Sequence, residues 1–279
     1  MTTFPEVLSN EPSFSTLAQM RMKTDVEIPV VLLFLPLSSY LLWALFAVAW
    51  WSVGDLTLVT SGLGTLGLAA SAAASYVVYT LLNRGNMHAS RTRALLWSTL
   101  NALESKAGAS NHQVLLSLSS AEQGFYNLVR GERERSAVLW ALLSLIPFVG
   151  WPFLAVSQWR LSRDLAKHGR LEGLVLEDVD RVLRSAGMQG ITGKSVPLVS
   201  REALGVAIVV SSVIGLLSAF VLGLVGALVL TYLTVGAFSL FWIDLSIRDP
   251  AGHFHYHSQF EADLLRSLEG MADRSAGAA

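Results

Sequence analysis

Cysteine is absent from this chain of 279 residues. Disulfides, thiolate metal sites and cysteine nucleophiles are thereby excluded together. Charge is scarce as well. Only 15% of residues are Asp, Glu, Lys or Arg, against 52% hydrophobic, and mean hydropathy is +0.50. Soluble domains carry about a quarter charged residues, so this composition points away from them. A formal net charge of −1 leaves no electrostatic footprint for nucleic acid. Gly-x-Ser-x-Gly, a Walker loop and His-Glu-x-x-His are all missing. Gly62, Gly64 and Gly67 have dinucleotide-loop spacing, but they lie inside an apolar run where no phosphate is bound. Residues 1–27 are polar and offer no apolar core with a cleavage site, so no removable signal peptide is expected.

What the chain does have is uninterrupted apolar sequence. Residues 28–54, 56–82, 137–158 and 203–243 contain no base, and Asp55 and Asp244 stand just outside them. A charge at the bilayer centre costs roughly 2.5–3.5 kcal/mol on insertion scales, so a membrane imposes such gaps. The expectation is an all-α, polytopic helical membrane protein. A hairpin of spans at 28–82 follows the 1–27 cytoplasmic segment and turns near Gly54-Asp55. Pro36 should kink its first helix, and Trp50 and Trp51 suit the far interface. Gly67, Ser71 and Ser75 fall four apart on one face of the second helix, where small residues let backbones approach.

Segment 83–135 reads as cytoplasmic and helical, from Leu95, Leu96, Leu100 and Leu103 and then Phe125, Leu128 and Val129. Ser119 and Glu122 have capping-box spacing for its second helix. Residues 136–158 form a single span or a short membrane hairpin. Ile146 to Pro152 holds two prolines and a glycine, which suits a turn. Basic segments on both sides favour the hairpin, which keeps them cytoplasmic. Segment 159–202 again reads as cytoplasmic helix. Residues 203–243 have length for two spans turning at Gly223 to Gly226, and Ala203, Ala207, Ser211, Gly215, Ala219 and Gly223 form a small-residue stripe suited to helix contact or homo-oligomers. In the cytoplasmic 244–279, Asp249-Pro250 reads as the start of a last helix with Phe260, Leu264, Leu265, Leu268 and Met271 on its apolar face.

A threefold internal repeat is suggested by the exits from the membrane runs: Tyr79, Arg84 and His88; Trp159, Arg163 and His168; Trp242, Arg248 and His253. Fifteen residues beyond each histidine stands a leucine, Leu103, Leu183 and Leu268. The stretch Leu143 to His168 (LSLIPFVGWPFLAVSQWRLSRDLAKH) resembles a unit of uncharacterised prokaryotic multi-pass membrane proteins of unknown function. That resemblance implies a prokaryotic source and brings no catalytic motif.

His253, His257 and Glu261 fall on one helical stripe that can chelate zinc or nickel. However, a helix starting at Asp249-Pro250 leaves His253 near a fraying end, and acids able to orient the imidazoles look few. His88 and His168 read as interfacial hydrogen-bonders. The expectation is therefore no catalytic, cofactor-binding or metal site, and a structural, scaffold or interaction role through cytoplasmic helices in the cell membrane. The bilayer and its anionic headgroups are the expected partners. The alternatives are a channel or facilitator for a neutral solute, ion-coupled carriage being disfavoured by spans that hold only Ser, Thr, Tyr and Gln158 as polar groups, and a membrane metalloenzyme using the C-terminal histidines.

Overall fold

The computed structural model describes Thr16, Met20, Arg21, Asp25 and residues 28–53, 57–107, 112–132, 134–146, 150–191 and 202–277. From residue 28 onward the described residues form seven helices: α1 (Val30–Leu33), α2 (Leu35–Val53), α3 (Leu58–Ala107), α4 (His112–Gly131), α5 (Ala137–Leu145), α6 (Gly150–Ser185) and α7 (Glu202–Gly277). No strand occurs among the described residues. Three stretches, Val30–Ser52, Leu58–Ser105 and Val225–Ser267, are long and apolar enough to cross a membrane.

Pro36 has no N–H for the Leu32 carbonyl, and the first helix is interrupted at Phe34, between α1 and α2. Helix α2 folds back on α3. The Trp43 indole donates to Ser71 Oγ at 2.9 Å, and the Ser39 and Ser71 hydroxyls are 3.0 Å apart. A Cβ on Gly67 would stand 3.2 Å from the Trp43 ring. The small-residue face of α3 is thus the surface against which α2 lies.

A second reversal separates α5 from α6. The Arg160 guanidinium lies 4.5 Å from the Trp140 ring centroid, and Arg135 pairs with Asp164 at 3.1 Å. On one continuous helix these pairs would be about 30 and 44 Å apart at ~1.5 Å per residue. The chain therefore doubles back between Leu145 and Gly150.

Helix α7 contains the third reversal. Gly223 has φ 72° and ψ 172°, a conformation open to glycine and costly for other residues. Gly205 packs against Trp159, where a Cβ would fall 2.4 Å from the indole nitrogen, and Ser239 bonds the neighbouring Gln158 at 3.1 Å. Positions 205 and 239 would be about 51 Å apart on a straight helix, so residues 202–222 and 224–277 are two arms meeting at Gly223.

The second arm of each hairpin continues without a break. Helix α3 runs 50 residues through the expected boundary at Asn83. Pro250 starts no helix: α7 passes through it, and the Ser246 carbonyl that loses its donor belongs to a residue lining a cavity. Ser119 caps nothing either. Helix α4 begins at His112 because Val114, Leu118, Ala121, Phe125 and Leu128 bury one continuous stripe. Below the hairpins, α3, α4, α6 and α7 close around Leu96, Leu103, Phe125, Val179, Leu183 and Phe260. The Gly54-Asp55 turn, the side chains of Ser211, Gly215 and Ala219 in the stripe, and those of Leu268 and Met271 lie outside the described residues.

Candidate metal centre

Between the hairpins and the lower core, three long arms bring His88, His168, His253 and His257 together. All four are buried, and one ring nitrogen from each lies within 4.8 Å of the others. Nothing local forces this. The arms meet here because apolar residues above and below them pack, and the histidines occupy the level between.

The outer nitrogens of two rings are held by carboxylates. His88 Nδ1 stands 2.9 Å from Asp25 Oδ1, and His168 Nδ1 bonds Glu132 Oε1. Donation from Nδ1–H leaves Nε2 as a bare lone pair facing inward, the arrangement that orients metal-ligating imidazoles. His88 Nε2 lies 3.2 Å from His253 Nε2, and His168 Nε2 is buried with no hydrogen-bond partner. Ligand nitrogens about 2.0–2.1 Å from a tetrahedral ion are separated by about 3.3 Å, so the His88–His253 spacing fits a shared cation.

Glu172, fully buried, sits at the centre of the acid set. Its carboxylate oxygens are 2.8 and 2.9 Å from His257 Nε2, with one oxygen 3.7 Å from His168 Nε2 and 3.8 Å from His253 Nε2. His257 Nδ1 faces Glu261 at 3.8 Å. Arg91 bridges Asp25 at 2.8 Å and Glu261 at 3.0 Å. It is the only buried guanidinium among the described residues. This layer lies beyond the apolar runs, on the polar continuations of the helices.

Burial, then neighbouring His257, hold His88 and His253 well below the usual imidazole range, so both rings are neutral and available as ligands. For His257 burial opposes the charge, yet Glu172 and Glu261 prevail and raise it to about 9. Burial pushes Glu172 upward, but the charge of His257 and its hydrogen bond bring it down to about 2. The layer already stabilises a positive charge next to Glu172, which a cation would supply in full.

His253, His257 and Glu261 do share one buried face of α7, whereas His255 is exposed and bonds Gln259. Both arguments made against a metal change here. His253 lies inside a continuous helix, and four acids surround the rings. Glu172 escaped the sequence reading, although His168/Glu172 and His253/His257 have the same four-residue spacing. Asp25 and Glu132 come from segments far away in sequence and carry no such signal. Comparison with known families, with curated proteins and with solved structures finds no match.

Proposed function

We propose that this chain is a multi-pass membrane protein that holds one transition-metal ion at the cytoplasmic edge of the bilayer. The observation that carries the reading is the convergence of four buried histidines with inward-facing nitrogens, one of them without a partner. Imidazole with carboxylate and no thiolate suits zinc, nickel, copper or iron, and disfavours purely oxygen-seeking ions.

The membrane part is supported by apolar side chains turned outward on the hairpins, among them Val31, Leu45, Val59 and Leu66. A threefold repeat is supported by position. Each copy is a hairpin whose second arm carries a histidine, and seven residues later stand Leu95, Val175 and Phe260, all buried in the lower core. The middle copy has the shortened hairpin. A scaffold role rested on several amphipathic helices on one side of the membrane, and in the fold the apolar faces of those helices meet one another. We therefore place function in the histidine layer, and a metalloenzyme above a scaffold or channel, because a cavity reaches His88 and His168.

The test is metal analysis of full-length protein purified without a histidine tag. About one equivalent of a single transition metal is expected after loading with zinc, nickel, copper or iron in turn. Less than about a tenth of an equivalent for all four would overturn the reading. Topology is checked with cysteines introduced at Ser120, Arg184 and Gln259, all exposed below the histidine layer. All three should resist an impermeant thiol reagent applied from outside the cell, and labelling of any one would contradict this orientation.

A further inference from the structure

A cavity of about 390 Å³ opens beside the histidine layer. Its walls differ in chemistry. One is apolar and belongs to the ends of the hairpins: Leu81, Leu82, Leu161, Trp242 and Leu245. The other is basic, from Arg84, Arg130, Arg135, Arg163 and Lys167. Depth is graded too. Arg130, Arg163 and Lys167 are exposed and mark the mouth, whereas His88, His168 and Trp242 are buried and form the floor.

Several of these bases are set in position. Arg84 lies over the Phe254 ring at 5.3 Å and Arg163 over Trp159 at 5.3 Å. Lys167 Nζ donates to the Gly131 carbonyl at 2.6 Å, and Arg135 donates to Asp164. Stacking on a ring and donation to a neutral carbonyl leave the charges of Arg163 and Lys167 uncancelled by those contacts. Asp164, Asp249 and Glu132 also line the space, but Asp164 is paired with Arg135 and Glu132 with His168 and Arg93. Five bases line the space against these three acids, so the lining is net cationic.

We propose that the cavity binds an anionic membrane amphiphile, with its phosphate at Arg163 and Lys167 and its first acyl carbons against Leu81, Trp242 and Leu245. Such a ligand matches both walls at once, which a soluble phosphate ester does not. It also explains the depth at which the cavity lies, where the apolar run of α3 ends at Leu82 and the first base, Arg84, begins. As substrate it would present its headgroup to the metal, and that clause rests on the metal reading. The binding itself does not.

The test uses full-length protein in detergent micelles, with native mass spectrometry and metal content read on the same samples. The probes are phosphatidylglycerol, phosphatidylcholine and soluble glycerol phosphate. Phosphatidylglycerol should be retained, phosphatidylcholine at least about tenfold less, and glycerol phosphate should fail to compete. R163E/K167E should lower phosphatidylglycerol retention at least about tenfold with metal content unchanged. Ser246→Trp, which fills the cavity without altering charge, should do the same. Equal retention of both lipids, or full retention in both variants, would overturn the proposal. Competition by glycerol phosphate at equal concentration would overturn the amphiphile in favour of a soluble anion. Lipid selectivity in a protein that binds no metal would sink the metal reading alone.

Discussion

The hairpin layer and the histidine layer are built on the same helices, yet they handle buried polarity in opposite ways. In the hairpins every buried polar side chain among the described residues is neutral: Ser39 and Trp43 both bond Ser71, and Gln158 bonds Ser239. About two helical turns beyond Leu82 the groups become ionic, with buried Arg91, Glu172 and Glu261 and half-buried Asp25 and Glu132 around four imidazoles. A neutral hydrogen bond contributes about 1 kcal/mol and tolerates hydrocarbon, whereas a buried ion demands a partner or a metal. The contrast teaches that charge was not merely kept out of the apolar half. It was gathered at one level, where three helices leave that half and where a cavity gives access.

The sharpest way to break the comparison is to empty the charged level. Replacing His88 and His253 by alanine should abolish stoichiometric metal binding while the hairpins stay folded, as judged by unchanged helix content in circular dichroism. Next in size, Phe125→Ala in the lower core should cost about 3–5 kcal/mol, seen as a lower denaturation midpoint, because a fully buried ring leaves a cavity. Glu132→Gln is subtler. It keeps the shape but weakens the carboxylate holding His168, so metal affinity should drop about 10–100-fold with little change in stability of the metal-free protein. The smallest effect belongs to the neutral layer. Ser71→Ala removes the acceptor for Trp43 and should cost about 1 kcal/mol, with metal content unaltered. A large loss of metal in Ser71→Ala would show that the two layers are not separate.

The hairpins were largely legible because lipid-like burial leaves long continuous signals. Pro36 announced its interruption, Gly223 its reversal, and Gly67 and Ser71 their close contact. The positions of prolines misled once. Pro250 reads as a helix start, yet packing of Trp242 above and Phe260 below keeps α7 continuous through it. That single misreading moved His253 to a helix end and weakened the histidine stripe. Half of the site was visible as a stripe on α7, and His88 and His168 were visible as equivalent positions. Their convergence was not, since it depends on how three arms cross in space. Asp25 and Glu132 were beyond reach for the same reason: one precedes the first hairpin and the other follows α4, and only the tertiary fold brings them to the rings.

The central claim is that the four imidazoles share one ion, and X-ray absorption at the metal edge of the loaded, full-length protein tests it most directly. The account predicts a light-atom shell at about 2.0–2.1 Å with the outer-shell scattering of several imidazole rings, lost in the His88→Ala, His253→Ala double variant. A metal shell of oxygen atoms without imidazole scattering, or the same spectrum in the double variant, would contradict it.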